Sequence, residues 1–330
     1  MKKQILVLTT VMCILAGLVS CGKKDAPILD DCGCYIDVYT AKKAAEKQKK
    51  DMLVFITVNH EDYSSEDLID NVLMTDEFDE QIKSKYVVCH LDFSGSTAEK
   101  FMIDETATDA EKLAAEPYKI AWESGYQFAS LLACQYTPAI YMFTKEGYVV
   151  AEVEYDEEIT DVAKLQSLLS VYDDDKAELE AMVAATKKGS KLDQVKAIDA
   201  FYKATPENFR YFMLDLAVKI PSLDKNNESG LVADYVLVSG EQKVSKLLMQ
   251  NDVAGAAQEF LSIAKNPYLN KEQQMDCYFN AAYFLSMSGA ATEQEVLAFL
   301  QQGLAIDPES PNAEKFKQAI SYFSNPENFE

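Results

Sequence analysis

Two cysteines and a glycine between them form the first pattern with chemical potential, Cys32-Gly33-Cys34. In an oxidising compartment such a pair could form a strained disulfide, which is easily reduced and therefore able to exchange with other thiols. The alternative is a pair of structural thiols. Three more cysteines, Cys89, Cys134 and Cys277, lie among apolar neighbours and are predicted to be inert core residues.

A second pattern is His60-Glu61-Asp62, followed by Tyr63, Ser64 and Ser65. Imidazole and carboxylate groups at this spacing could bind a cation or act as an acid–base pair. The spacing matches no defined metal motif, and an acidic loop at the start of a helix is the favoured interpretation. A serine nucleophile would need His60 as its base, whereas the favoured role of both serines is to cap the helix. We predict no metal and no other cofactor.

Helix and strand signals alternate around these residues. Continuous apolar runs predict strands that are covered on both faces, and polar residues with capping potential predict helix starts. The predicted elements are a helix over 36–50, a strand over 52–58, a helix over 66–74 that restarts at Thr75, a strand over 86–93, an acidic insertion over 95–117, a helix over 118–133, a hairpin of 139–144 and 148–155 turning at Gly147, and a helix over 158–172.

This order of elements, with Tyr136-Thr137-Pro138 directly before the third strand, resembles the thioredoxin-like fold of exported bacterial proteins. The resemblance covers about 36–172 and implies an α/β domain with a central mixed sheet flanked by helices. It also implies a cis peptide bond before Pro138, on a surface that in the family grips extended polypeptide. Tyr136, Thr137 and Pro138 are therefore candidate binding residues, together with His60, Asp62, Tyr63, Ser64 and Ser65.

The sequence departs from that family at its reactive site. The family's Cys-x-x-Cys position falls at Asp62-Tyr63-Ser64-Ser65, and the sequence has no cysteine between Cys34 and Cys89. Disulfide exchange needs a thiolate and a second, resolving thiol, which serine cannot replace. The usual reaction at the usual place is therefore excluded.

The first 21 residues have the pattern of an export signal. Lys2 and Lys3 precede an apolar run that is too short to span a bilayer and ends at Leu18-Val19-Ser20-Cys21. Those four residues resemble the bacterial lipobox, which implies lipidation of Cys21. Gly22 after that cysteine favours the outer membrane. The expected organisation is a signal peptide over 1–20 and a lipidated tether over 21–35, followed by the thioredoxin-like domain over 36–172.

The remainder, 173–330, is predicted to be all-helical. Apolar residues recur at helical spacing, for example at Phe209, Phe212 and Met213, and proline or glycine breaks separate the helices. The stretch ending at Asp307-Pro308, with a predicted helix over 271–288 before it, resembles a tetratricopeptide helical hairpin. Stacked hairpins with a concave binding face and a plain helical bundle remain alternatives.

Charge limits the possible partners. The 330 residues carry 54 acidic and 31 basic side chains, a net charge of −23, and Arg210 is the only arginine. Nucleic-acid binding is excluded because it depends on clustered basic side chains. We expect a non-enzymatic protein that is anchored by lipid in the bacterial cell envelope. Its expected partner is a protein or peptide, and the acidic charge favours a basic one. The alternative is a thiol–disulfide oxidoreductase that uses Cys32 and Cys34.

Overall fold

The structure, a computed structural model, describes residues 27–155, 159–289 and 291–325. These residues form two compact units. One is an α/β unit made of 27–187 together with 201–213, and the other is a helical unit made of 188–200 together with 214–325. The predicted boundary at 172 therefore lies inside the α/β unit, which continues through one more helix.

The α/β unit is built on a four-stranded mixed sheet with the strand order β2-β1-β3-β4. Strands β1 and β2 are parallel, while β3 is antiparallel to both β1 and β4. The strands are β1 (Asp51–Thr57), β2 (Tyr86–Asp92), β3 (Ala139–Phe143) and β4 (Val149–Val153). Gly147, in the turn between β3 and β4, has φ +90°, as the predicted hairpin requires.

Helices cover both faces of this sheet. They are α1 (Val38–Gln48), α2 (Tyr63–Leu68), α3 (Asp76–Phe78), α4 (Gly95–Ala98), α5 (Asp109–Leu131), α6 (Val162–Ser170) and α7 (Asp173–Ala185), with π-helical turns at Ile69–Leu73 and Asp79–Lys83. One face of β1 packs through Phe55 against Phe78. The other face packs through Val54 in a cluster that includes Phe128 of α5. Every residue of β1 is buried, which explains its continuous apolar sequence.

The segment before α1 lies against the outer edge of β2. Tyr35 N–H donates to the Val88 carbonyl at 3.0 Å, and His90 N–H donates to the Tyr35 carbonyl at 2.8 Å. Leu29 pairs with Tyr35 across a tight turn. The predicted tether over 21–35 therefore does not hold for its described part, because residues 28–35 are hydrogen-bonded to the sheet and to each other.

Two predicted helix starts were wrong. The helix expected over 118–133 begins at Asp109, because Thr108 and Glu111 form a capping box and Pro117 is accommodated inside the helix. The helix expected to begin at residue 66 begins at Tyr63 with Asp62 as its N-cap. The predicted restart at Thr75 is confirmed, since its side chain accepts a hydrogen bond from Phe78 N–H.

The helical unit consists of helices that pack on their neighbours in sequence. They are α8 (Lys191–Ala204, whose last turn belongs to the α/β unit), α9 (Leu214–Ala217), α10 (Ile220–Leu223), α11 (Val232–Met249), α12 (Val253–Ala264), α13 (Lys271–Ser288), α14 (Glu293–Ile306) and α15 (Ala313–Phe323). Helix α13 has the bounds predicted from the sequence. The packing of consecutive helices from α11 to α15 forms two apolar clusters, one centred on α11 to α13 and one on α13 to α15.

The predicted aromatic face at Phe209 and Phe212 is not on an α-helix. These residues lie in a 3₁₀ segment, Glu207–Met213, that belongs to the α/β unit. The Phe212 ring packs against Phe128 and Phe143, with centroid distances of 5.5 and 5.6 Å. Their predicted role as core residues is confirmed, but the core is that of the α/β unit and not that of the helical unit.

Candidate functional site

Three chain segments meet at one end of the sheet. Register pairs Thr57 at the end of β1 with Asp92 at the end of β2. It also pairs Ile56 with Ala139, which places Pro138 beside the same end of β1. In open α/β sheets, ligands bind outside the carboxyl ends of parallel strands. This end of the sheet is the candidate site.

Residues 62–65, at the position of the family's Cys-x-x-Cys, form the start of a helix and carry no reactive group. The Asp62 carboxylate accepts hydrogen bonds from Ser64 N–H at 3.3 Å, from Ser65 N–H at 3.2 Å and from the Ser65 hydroxyl at 2.7 Å. Ser65 is fully buried and its oxygen accepts the Val58 N–H. Ser64 and Ser65 therefore occupy the first turn as capped residues, which corrects the prediction that they cap the helix themselves.

His60, Glu61 and Asp62 do not converge on a common point. The exposed His60 side chain pairs with Glu66 at 3.5 Å, and the Glu61 carboxylate accepts the Gly95 N–H at 2.6 Å. Because each side chain has a different partner, the predicted cation site and acid–base pair at these residues are not formed.

Cys32 and Cys34 are free thiols in the segment beyond β2. Two strands, β2 and β1, separate this segment from β3, whose first residue follows Pro138. Burial and the Asp30 carboxylate raise the pKa of Cys32 to about 12, although Lys83 opposes the shift. Burial likewise raises the pKa of Cys34, which is 1 % exposed. The raised pKa keeps the Cys32 thiol protonated at neutral pH, whereas exchange requires the thiolate.

The remaining predicted core cysteines are mostly as expected. Cys89 and Cys277 are buried, and burial raises the pKa of both thiols. Cys134 is only half-buried, and its thiol donates to the Tyr136 carbonyl at 3.3 Å.

A chain of polar side chains crosses the ends of β1 and β2. His90, only 5 % exposed, donates from Nδ1 to the Asp30 carboxylate at 2.6 Å. Its Nε2 lies 2.8 Å from the Thr57 hydroxyl, which is also 3.3 Å from Asp92 Oδ1. The turn that carries Asp30 and Cys32 is thus attached to the sheet through a buried histidine.

Asp92 is held as a carboxylate. Burial alone would raise its pKa, but hydrogen bonds from Asn59 N–H and from the Thr97 and Ser94 hydroxyls outweigh burial and lower the pKa below its usual value. These donors lie at 2.9, 2.6 and 2.7 Å. Asp92 therefore joins the loop after β1 to the start of α4 and supplies fixed negative charge.

A cavity of about 420 Å³ opens beside these groups. Its polar wall includes Asp30, Cys32 and His90, and its apolar wall includes Tyr118 and Trp122 of α5. Trp122 packs edge-on to Phe93, with ring centroids 5.3 Å apart. The cavity is large enough for a small ligand and combines a few convergent polar groups with aromatic surface, as ligand sites commonly do.

The Thr137-Pro138 peptide bond is cis, as the resemblance implied. Pro138 is buried, Thr137 is half-buried, and Tyr136 is 51 % exposed with its hydroxyl donating to Glu152 at 2.7 Å. Within the described chain, the Thr137 N–H and carbonyl make no backbone hydrogen bond. Tyr63, at the start of α2, is 81 % exposed.

The C-terminal part of the chain is similar to a known protein family. A family model described as "Uncharacterised protein C-terminal domain" matches residues 231–328, which begin in the helical unit just before α11. A Treponema pallidum (strain Nichols) protein titled "Uncharacterized protein" is 28 % identical over 126 residues. That match covers 38 % of this chain and 41 % of the relative, so it spans less than half of the relative's length.

Among solved structures, one titled "DsbH Oxidoreductase" is similar at 10 % sequence identity, covering 46 % of this chain and 94 % of that chain. Its TM-score of 0.31 is too low to carry an argument about fold or activity.

The predicted lipidation residue, Cys21, lies outside the described residues. Within the described ranges, no helix is both long and apolar enough to cross a bilayer.

Sequence reasoning missed Asp30, His90 and Asp92. The available signal was the occurrence of a histidine and an aspartate in the otherwise apolar run of β2. A polar side chain in a buried strand needs a hydrogen-bonding partner. A histidine and an aspartate in such a strand therefore indicate that other polar groups, and with them a site, lie nearby.

Proposed function

We propose that this chain is a lipid-anchored protein of the bacterial cell envelope, whose α/β unit is a thioredoxin-like domain that binds extended polypeptide without exchanging disulfides. The proposal rests chiefly on the Thr137 backbone, which has no backbone partner within the described chain and lies beside the end of β1. A free N–H and carbonyl at a sheet end suit pairing with an added strand.

The lack of disulfide exchange is supported by the position and acidity of the thiols. The helix start that follows β1 carries Asp62, Ser64 and Ser65 and no sulfur. Cys32 and Cys34 lie beyond β2, at the edge of the sheet away from Pro138. The pKa of each thiol is raised, so neither is present as the reactive thiolate.

Exposed aromatic and acidic side chains support the nature of the ligand. Tyr136 and Tyr63 offer large apolar surface with a polar tip, which suits polypeptide side chains. Glu61 and Asp70 add negative charge on the loop and helix after β1, in a protein of net charge −23. We therefore propose a polypeptide rich in lysine or arginine as the preferred partner.

The helical unit is proposed to add a second surface of the tetratricopeptide type. Consecutive packing of α11 to α15 supports stacked hairpins, and a plain bundle remains the alternative.

Polypeptide binding is tested with reduced and alkylated, permanently unfolded chains, one rich in lysine and one rich in glutamate. We expect saturable binding of the lysine-rich probe. Replacement Thr137→Pro removes one N–H and should weaken binding about fivefold, the equivalent of about 1 kcal/mol for one hydrogen bond. The matched control is Tyr126→Ala, on the exposed face of α5. Equal loss in both variants, or no binding of either probe, contradicts the proposal.

The oxidoreductase alternative is tested by insulin reduction. We expect turnover no faster than the uncatalysed reaction for wild type and for Cys32→Ser alike. Catalysed turnover that disappears in Cys32→Ser would establish the alternative instead.

Anchoring is tested by expressing the chain in a Gram-negative host with radiolabelled palmitate. The expected result is label in the membrane fraction, lost in Cys21→Ala. The control Cys134→Ala should keep the label. An unlabelled wild-type protein contradicts the lipid anchor and leaves the binding proposal to its own test.

A further inference from the structure

Three side chains with the chemistry of zinc ligands meet at one wall of the cavity. A carboxylate oxygen of Asp30, the Cys32 sulfur and a ring nitrogen of His90 all lie within 4.8 Å of one another. Among the described residues, this is the group of histidine, cysteine and acidic side chains that is compact enough to hold a metal ion. We propose that Asp30, Cys32 and His90 bind Zn²⁺.

The choice of ion follows from the donors. Zn²⁺ binds sulfur, imidazole nitrogen and carboxylate oxygen in tetrahedral sites, whereas Ca²⁺ and Mg²⁺ prefer oxygen alone. Tetrahedral bonds of the usual lengths separate ligand atoms by roughly 3.3–3.8 Å, so these side chains need to move by only about 1 Å. Asp30 and Cys32 lie on a surface turn, which can make that adjustment more easily than β2 can.

The surroundings of His90 match those of a metal-binding histidine. Its Nδ1 faces Asp30, and its Nε2 lies 2.8 Å from the Thr57 hydroxyl. With the metal on Nδ1, Nε2–H donates to Thr57, whose hydroxyl donates to Asp92 Oδ1. Outer partners of this kind fix the tautomer and ring orientation of metal ligands. The ion takes the place of the proton between His90 and Asp30, the ring proton moves to Nε2, and the proton of the Cys32 thiol is released to solvent as the sulfur binds the metal.

The electrostatic environment favours a cation. Asp31, Asp70 and Asp92 line the same cavity, and the nearby opposing charges are Lys100, on its wall, and Lys83, which donates to the Cys32 carbonyl. Three protein ligands leave one tetrahedral position, and because all three residues line the cavity, that position would be open to water or a ligand atom. Zinc sites with three protein ligands and an open position are the type that acts on bound molecules. This site is separate from the Thr137 surface.

The test uses metal alone on the full-length chain. Zn²⁺ binding is measured by calorimetry and Co²⁺ binding by absorption, because a thiolate on Co²⁺ gives a charge-transfer band in the near ultraviolet. We expect one ion per chain and a band that is absent in Cys32→Ser. Asp30→Asn should weaken Zn²⁺ binding by more than the roughly 10–100-fold that is typical for loss of an outer partner. Asp31→Asn, which removes only a charge from the cavity lining, should weaken Zn²⁺ binding by less than about tenfold, and the control Cys134→Ser should bind as wild type.

A wild-type measurement guards against variants that do not fold. Zn²⁺ should slow alkylation of Cys32 at least tenfold, mapped by mass spectrometry, while the alkylation rate of Cys134 is unchanged. Absence of saturable binding, a Co²⁺ band that persists in Cys32→Ser, or equal loss in Asp31→Asn would overturn the proposal, as would alkylation of Cys32 that is unaffected by Zn²⁺.

Discussion

Replacement Asp62→Ala tests the structure of the loop that occupies the dithiol position. The change removes the acceptor of two backbone N–H groups at the start of α2 and of the fully buried Ser65 hydroxyl. Loss of an N-cap costs about 1 kcal/mol, and a buried hydroxyl without its acceptor costs about 1–3 kcal/mol. Because both effects involve one carboxylate they are not fully additive, and we expect about 2 kcal/mol in total.

The assay is urea unfolding followed by the fluorescence of Trp122. This is the only tryptophan in the chain and it lies in the α/β unit, so its signal reports on that unit. Asp62→Asn should recover most of the stability, since asparagine is also a good N-cap. Ser64→Ala should change the free energy of unfolding by less than about 0.5 kcal/mol. If Ser64→Ala is as costly as Asp62→Ala, the assignment of the cap is wrong.

Two further predictions concern other parts of the chain. Gly303→Ala in α14 would place a Cβ 2.4 Å from Phe316 Cε1, and overpacking of this kind should cost about 1–3 kcal/mol, measured by circular dichroism during urea unfolding; an unchanged midpoint would contradict the close packing of α14 on α15. Asp92→Asn should make the free energy of unfolding less dependent on pH. The pKa of Asp92 is lowered in the folded state. Its stabilising effect is therefore present above the unfolded pKa of about 4 and is lost as pH falls through the folded value. Urea midpoints of wild type and Asp92→Asn should converge below about pH 4, and parallel curves would show that Asp92 is not the responsible group.

The strands were predictable because their signal is local. The predicted strands over 52–58 and 86–93 differ from β1 and β2 by a single residue at the ends, since continuous apolar runs leave little choice of structure. The cis bond at Pro138 and the glycine turn at Gly147 were also correctly expected. The start of α5 was missed because 95–117 was interpreted as an acidic insertion, whereas the capping pair Thr108 and Glu111 begins the helix at Asp109.

The site was less predictable because it depends on contacts between distant residues. Asp30 and His90 are 60 positions apart, and their contact forms only when the turn before α1 lies against β2. The polar sequence Asp30-Asp31-Cys32-Gly33-Cys34 has the composition of a loop, so local patterns assign it to the tether. Asp62 and Ser64 are both good capping residues two positions apart, and only the three-dimensional structure distinguishes them.

The backbone pairing of Tyr35 with Val88 and His90 also covers part of the outer edge of β2 and so protects the protein from self-association. Without this segment, β2 would present its outer backbone N–H and carbonyl groups along a largely buried apolar strand, a template for edge-to-edge aggregation. If residues 21–35 were a flexible tether, the chain could be shortened to begin at residue 36 without loss. We expect instead that this shortening exposes the outer edge of β2 and removes both Asp30 and Cys32. The segment before α1 therefore covers an edge through which the sheets of two copies could otherwise join.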